Sequence, residues 1–357
     1  MDYPMGDFPN VFEYNYSNSN FSEVPLSFES SLSPIILVTI VLYALVFLVG
    51  TLGNGAVIWV VGFQMQRTVG SVWFLNLSVA DLICCLSLPM LATSLGSENS
   101  WVLGDFACRL LPSFIILDMF ASILLLTLIS MDRCALVVRP IWCQNHRSTR
   151  LAWKLCGVAW TSATLLTLPS FMTRMTRYYE FYNLTTCVVD YGIFGTNHRT
   201  AEISVAVMRF LIGFLIPSVA FSLFYGLLVL RVRSSRFAHS KKTLKVVLVV
   251  VVSFFVCWAP YHVAGLIMAS MDRWNPLFLL VNTLDPLTVA LAYINSCINP
   301  IIYVIAGQDF KAKIRRSLTA VLHNILSEET LAATSQAEGK AQNTCTTTED
   351  QSTNTTL

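Results

Sequence analysis

Long apolar runs, separated by short polar segments, make up most of the chain. A helix that spans a membrane needs about 20 mostly apolar residues, and seven runs of about that length carry no more than one charged residue each. They cover approximately residues 34–61, 69–95, 110–131, 155–173, 203–230, 246–271 and 286–308. The pattern predicts an all-α membrane protein built as a seven-transmembrane helix bundle.

The same pattern divides the chain into four regions. Residues 1–33 are rich in Asn, Ser and Tyr, with five acidic residues and no Lys or Arg, so we expect a disordered acidic tail. The bundle covers residues 34–306. In residues 307–323, apolar side chains at positions 310, 314 and 318 predict a short amphipathic eighth helix on the membrane surface. Residues 324–357, rich in Ser and Thr, predict a disordered cytoplasmic tail.

The positions of the basic residues predict the orientation. If the N-terminus is extracellular, most lysines and arginines lie in the inner loops or after the last span, among them Arg133, Arg147 and Lys242. Cytoplasmic loops of membrane proteins carry an excess of Lys and Arg. We therefore predict a multi-pass protein with its N-terminus outside and its C-terminus inside.

Composition and charge exclude several classes of function. Charged residues make up 12% of the chain, about half of the roughly 25% of soluble proteins, and the net charge of +2 gives no basic surface for nucleic acid. The five histidines are scattered without metal-ligand spacing, so we expect no enzyme. The span at 286–308 has no lysine for retinal, and the chain shows no internal repeat of the transporter type.

Cysteines and sequons add two expectations about the outer side. Of the ten cysteines, Cys108 and Cys187 are the two that fall outside the membrane and the cytosol, where disulfides form. We therefore predict that they pair. Glycosylation sequons on the same side begin at Asn15, Asn20 and Asn183.

Polar groups inside the spans point to a family. Such groups are costly in a membrane and mark functional sites. In chain order the spans carry Asn54, Asp81, Asp132-Arg133-Cys134, Trp160, Pro217, the run 254–260 and the motif Asn299-Pro300-Ile301-Ile302-Tyr303. Together with the cysteine pair, this series resembles the rhodopsin-like (class A) G-protein-coupled receptors over approximately residues 34–320. Segments 139–145, 187–191 and 242–247 are similar to those of the complement anaphylatoxin receptors.

The resemblance implies a function and a set of partners. It implies a plasma-membrane receptor for a basic complement anaphylatoxin, that of the fifth component, which signals through heterotrimeric inhibitory G proteins in chemotaxis and inflammation. Arrestin, receptor kinases and membrane lipid are the further partners it implies. Two alternatives stay open: a non-signalling receptor that scavenges the same ligand, and another chemoattractant receptor, such as one for formyl peptides. The presence of Arg133 and of the motif at 299–303 favours a signalling receptor.

The resemblance also implies roles for individual residues. Ligand contacts fall on Arg174, Arg177, Glu202, Arg209, Tyr261 and Asp285. The G-protein switch falls on Asp132, Arg133, Tyr225, Trp258, Asn299, Pro300 and Tyr303, with the charge of Arg133 neutralised by Asp132 at rest. Sulfation is expected at Tyr3, Tyr14 and Tyr16. Phosphorylation is expected at Ser327, Thr330, Thr334, Ser335, Thr346, Thr347, Thr348 and Ser352.

The only cofactor expected is a sodium ion in the middle of the bundle. In the family, the residue that matches Asp81 holds this ion, and we expect the other ligands to be Asp118, Ser122, Asn295 and Asn299. Asp118 departs from the family, where relatives carry a neutral amide. Two carboxylates in one low-dielectric site cannot both ionise cheaply, so they share a cation or one of them is protonated. A protonated Asp118 that makes only a structural hydrogen bond remains the alternative.

Overall fold

Seven long helices dominate the computed structural model, which describes residues 33–97, 100–195, 197–233 and 238–306. Within those ranges, the helices that are long and apolar enough to cross a membrane are Pro34–Gln64, Val69–Gly96, Gly104–Val138, Thr149–Met172, His198–Gly226, Leu248–Ser270 and Pro276–Ile302. The predicted seven-helix bundle is confirmed. The predicted eighth helix at 307–323, the N-terminal tail and the C-terminal tail lie outside the described residues.

The described elements follow one another in a simple order. The first four helices are α1 (Pro34–Trp59, continued by a π-helical turn at Val60–Gln64), α2 (Val69–Leu86), α3 (Leu88–Gly96) and α4 (Gly104–Val138). Then come α5 (Pro140–His146), α6 (Thr149–Met172), and strands β1 (Arg174–Tyr179) and β2 (Leu184–Val189). The last four are α7 (His198–Phe210), which a π-helical turn (Leu211–Leu215) joins to α8 (Ile216–Arg233), α9 (Ala238–Ser270) and α10 (Pro276–Ala306).

The bundle keeps its strongly polar side chains inside and covers its lipid-facing surface with apolar ones, while further apolar side chains fill its core. Leu52 and Val256 are 73% and 66% exposed on the outer faces of their helices. Asn54, Asp81 and Asn299 are at most 1% exposed. Because lipid cannot satisfy a polar side chain, these groups lie inside the bundle, where polar partners are available.

Several helices extend beyond the apolar runs that predicted them. Helix α4 begins at Gly104, and its first turns carry the ion pair between Asp105 and Arg109, four residues apart with a 2.7 Å contact. Helix α10 begins at Pro276 rather than at residue 286, so Asp285 lies within a helix. A charged residue ends an apolar run but not a helix, because backbone hydrogen bonds continue past it.

A short antiparallel hairpin is an addition to the all-α expectation. Strand β1 pairs with β2 from Arg174 opposite Val189 to Tyr179 opposite Leu184. Both strands are rich in β-branched and aromatic residues, which favour extended backbone. The turn between them closes at Asn183, whose φ of 47° lies in the left-handed region, where Asn is the most tolerated residue after Gly. The predicted sequon therefore lies at an exposed turn.

Candidate functional site: a charged cavity at the disulfide end of the bundle

The hairpin is fixed over one end of the bundle by a covalent bond and by hydrogen bonds. Cys108 of α4 and Cys187 of β2 form the predicted disulfide. The backbone amide of Thr176 donates to a carboxylate oxygen of Asp105 at 2.9 Å. The amide of Asp190 donates to the carbonyl of Thr173 at 2.6 Å, which closes the open end of the hairpin beside the end of α6. We call the end of the bundle at Cys108 the disulfide end, and the end at Asp132 the opposite end.

A cavity of about 440 Å³ opens at the disulfide end between the hairpin and helices α3, α4, α7, α9 and α10. Five of the six predicted ligand contacts line it, namely Arg174, Glu202, Arg209, Tyr261 and Asp285. The sixth, Arg177, does not. Its guanidinium pairs with the carboxylate of Asp190 at 3.0 Å within the loop.

The charged groups of the cavity are close together without being paired. Among the described residues, no ion pair joins Arg174 or Arg209 to Glu202 or Asp285. A guanidinium nitrogen of Arg209 donates to the hydroxyl of Tyr261 at 2.5 Å, and Asp285 accepts from Thr288 at 3.4 Å. Two arginines and two carboxylates therefore face the same space, and their side chains can still form hydrogen bonds with a ligand.

Arg174 is the most constrained of these charges. It follows Thr173, the C-terminal cap of α6, and begins β1. Its Nε is buried without a hydrogen-bond partner. Loss of hydration on burial lowers the pKa of Arg174, and the nearby positive charge of Arg209 lowers it further. The attraction of an anion that entered the cavity would offset the lost hydration and the repulsion from Arg209.

Aromatic side chains of α9 continue from the cavity wall at Tyr261 into the core. The ring of Tyr261 packs edge-on against Trp258 at 5.5 Å between centroids, and Trp258 packs against Phe254 at 5.8 Å. Trp258 and Phe254 are fully buried. His262, next to Tyr261, lines the cavity as well, and its Nε2 is buried without a partner.

A second cluster of polar groups lies in the middle of the bundle. The amide of Asn299 donates to a carboxylate oxygen of Asp81 at 2.8 Å. The hydroxyls of Ser122 and Ser296 donate to the two oxygens of Asp118 at 3.3 and 3.4 Å. The other oxygen of Asp81, the side-chain oxygen of Asn299 and the side-chain nitrogen of Asn295 are buried without a partner. Unpaired carboxylate and amide oxygens fit a small hard cation such as sodium.

At the opposite end, Asp132 has a closer partner than Arg133. Its carboxylate accepts two hydrogen bonds from Arg147, from Nε at 2.7 Å and from Nη2 at 3.1 Å. Arg133 approaches the same carboxylate only to 3.8 Å. The charge of Asp132 is therefore shared between Arg133 and Arg147, and Arg147 is the closer partner. Arg147 follows α5, and the Asp132-Arg133-Cys134 motif alone does not reveal its role.

The remaining switch residues lie on α8, α9 and α10. The hydroxyl of Tyr225 is buried beside Ser130 of α4. Pro300 lies inside α10, one residue after Asn299. The side chain of Tyr303 lies outside the part of the chain that the structure describes.

Comparisons with known proteins identify the family. The profile of the family described as "7 transmembrane receptor (rhodopsin family)" matches residues 53–303. The chain is 49% identical over 301 residues to the C5a anaphylatoxin chemotactic receptor 1 of Gorilla gorilla gorilla, covering 84% of this chain and 85% of the relative. It is 48% identical to the receptor of the same name in Homo sapiens over 301 residues, with the same coverage. For that of Canis lupus familiaris, the identity is 50% over 303 residues, again covering 84% and 85%.

The chain belongs to the rhodopsin family of seven-transmembrane receptors. As a rhodopsin-family receptor with seven spanning helices, it is a multi-pass protein of the plasma membrane and not an enzyme. The family resemblance read from the sequence and the predicted disulfide are both confirmed. The roles assigned to the ligand, switch and sodium residues stay predictions.

Several predicted modification sites of this rhodopsin-family receptor lie outside the described residues. They comprise sequons at Asn15 and Asn20, the tyrosines at 3, 14 and 16, and the eight serines and threonines between 327 and 352. Asn183 is described and exposed, and its side-chain oxygen accepts a hydrogen bond from the hydroxyl of Tyr178 at 2.8 Å.

Sequence reasoning missed several residues that the structure brings to these sites. His262, Tyr43 and Tyr293 line the cavity, and Ser296 binds Asp118. A signal existed for His262, because a histidine inside a charge-free span is a costly polar group. Tyr43 and Tyr293 carried no such signal, since tyrosines are frequent in membrane helices.

Proposed function

We propose that this receptor binds the C5a anaphylatoxin at the disulfide end and signals through an inhibitory G protein in chemotaxis and inflammation. The observation that carries the proposal is the cavity, in which two arginines and two carboxylates face one space without forming ion pairs with each other. The names of the relatives support C5a as the ligand.

The charges of the cavity suit the C-terminus of a basic polypeptide that ends in arginine. Such an end carries a guanidinium and a carboxylate on one residue. Asp285 would accept from the guanidinium, while Arg209 and Arg174 would donate to the carboxylate, and all three side chains line the cavity. Charge-assisted hydrogen bonds of this kind are the strong ones in a partly dry site. Tyr261, bonded to Arg209, holds that guanidinium in position.

The proposed orientation places the disulfide end outside the cell. A disulfide persists in an oxidising compartment, and the basic loops lie at the opposite end, as the positive-inside rule requires. The N-terminal tail is then extracellular, where its tyrosines and sequons are accessible to modification, and the C-terminal tail is cytoplasmic. Receptor kinases and arrestin act on that tail in this proposal.

We further propose that the polar cluster in the middle of the bundle holds a sodium ion. Asp81, Asp118, Ser122, Asn295 and Asn299 would be its ligands or close neighbours. The unpartnered oxygens of Asp81 and Asn299 support this assignment. The ion would offset the charge of two neighbouring carboxylates in a site that water enters poorly. Membrane lipid surrounds the bundle at the level of this site.

An assay of cyclic AMP in transfected cells tests the proposed function. Cells that express the full chain are treated with C5a and, in parallel, with formyl peptides, with untransfected cells as control. We expect C5a, and not formyl peptides, to lower stimulated cyclic AMP. A response to formyl peptides alone would reassign the ligand. Binding of C5a without activation of any G protein would mean that the chain is a scavenger.

A further inference from the structure

Two arginines compete for one carboxylate at the opposite end of the bundle. Arg147 meets Asp132 through two parallel hydrogen bonds at 2.7 and 3.1 Å, whereas the nearest nitrogen of Arg133 is 3.8 Å away. The side chain of Asp132 is 9% exposed, so its charge is little screened by water. The bidentate geometry is the stronger of the two arrangements.

The fold fixes Arg147 in this position from both sides. Its backbone amide donates to the carbonyl of Cys143 at 3.0 Å, and Cys143 is buried at 4% exposure. The next residue, Ser148, caps α6 by accepting from the amide of Leu151 at 3.3 Å. Arg147 therefore has little freedom to leave Asp132 unless α5 moves.

Arg133 is correspondingly left with weak attachments. Its Nε is buried without a partner. Its guanidinium lies over the first turn of α2, so close to Gly70 that a Cβ at that position would be 3.1 Å from Nη2. Both guanidinium groups carry a positive charge and face the same oxygen, Oδ2 of Asp132. The presence of Arg147 thus weakens the attraction between Asp132 and Arg133.

We propose that Arg147 is a positioning residue that sets how strongly Asp132 holds Arg133 at rest. Because Arg147 occupies the carboxylate, Arg133 needs less free energy to leave it when the receptor activates. The inference rests on the proposed function and on the switch role that the family resemblance implies for Arg133, whose release at activation would admit the G protein. Without Arg147, the carboxylate would turn to Arg133 and stabilise the resting state.

The direction in which each substitution changes activation distinguishes this role from one in which the ion pair only anchors α5. If the Asp132–Arg147 pair only fastened α5, then Asp132→Asn and Arg147→Gln would break the same contact and act in the same direction. In our proposal they act in opposite directions, since Asp132→Asn frees Arg133 and Arg147→Gln holds it more tightly. The double variant should resemble Asp132→Asn, because Arg147 acts through Asp132.

Two readouts on the full chain in membranes test the proposal. The first is C5a affinity after G proteins are removed, which reports the fraction of active receptor. The second is basal nucleotide exchange on added inhibitory G protein without ligand. We expect Arg147→Gln to lower both by about fivefold, or about 1 kcal/mol, and Asp132→Asn to raise both.

Two further variants are the controls. Arg147→Lys keeps the charge but cannot form the two parallel bonds, so it should recover part of the loss. Arg150→Gln removes an exposed arginine three residues further along and should change neither readout by more than about twofold. The proposal is overturned if Arg147→Gln and Asp132→Asn change the two readouts in the same direction. It is also overturned if Arg147→Gln changes neither readout while the variant reaches the cell surface normally.

The two readouts also separate this proposal from the proposed function. If the wild type binds C5a but activates no G protein, signalling fails as a function, and the affinities still test Arg147. If the wild type does not bind C5a, the ligand assignment fails, and basal exchange still tests Arg147.

Discussion

Replacing Asp285 by Asn should weaken C5a far more than it weakens C5a that lacks its C-terminal arginine. Asn keeps the shape of the side chain and can still accept from Thr288, which bonds Asp285 at 3.4 Å. The substitution removes the negative charge that would meet the guanidinium of the ligand. The shortened ligand retains a carboxylate but not the guanidinium.

The size of the effect follows from the setting of Asp285 in the cavity. A hydrogen bond to a charged group contributes about 1.5–3 kcal/mol. Asp285 is only partly buried, so screening by water favours the lower half of that range. A loss of about 2 kcal/mol corresponds to roughly 30-fold in affinity for full-length C5a. For the shortened ligand we expect a change within about threefold.

A double-mutant cycle measures the coupling between Asp285 and the terminal arginine. Both ligands are titrated against the wild type and Asp285→Asn in membranes at fixed ionic strength. Glu202→Gln is the matched control, because it removes the same charge from the same cavity and should weaken both ligands alike. Equal losses for the two ligands with Asp285→Asn would refute the assignment.

Three more predictions concern other parts of the chain. Arg133→Leu should abolish suppression of cyclic AMP while C5a binds at near wild-type affinity; normal suppression would remove Arg133 from the switch. Asp118→Asn leaves Asp81 as the only carboxylate of the polar cluster, so any effect of sodium on C5a affinity should need about tenfold more sodium to reach its midpoint. Potassium is the control, and an unchanged midpoint would argue against sodium at Asp118. Truncation after Ser327 should preserve G-protein activation but slow C5a-driven arrestin recruitment, because the phosphorylatable residues that would bind arrestin are lost; equal recruitment rates would make the tail a linker.

The amino-acid sequence was sufficient for the features that depend on local composition. A run of about 20 apolar residues must form a spanning helix, because lipid offers no partner for an exposed backbone group. The seven spans therefore followed from the sequence. The Cys108–Cys187 bond followed from the placement of the cysteines, since two of the ten fell on the predicted outer side. Both are confirmed by the structure.

Only the tertiary structure decided which charged groups meet. Arg174 and Arg177 lie three residues apart in one strand, yet Arg174 lines the cavity and Arg177 pairs with Asp190 outside it. In the same way, Asp132 and Arg133 are adjacent in sequence, but Asp132 bonds more closely to Arg147, fifteen residues away. Side-chain pairing depends on how helices and loops pack at distances of a few ångströms. A pattern along the chain places a residue on an element, and packing then selects its partner.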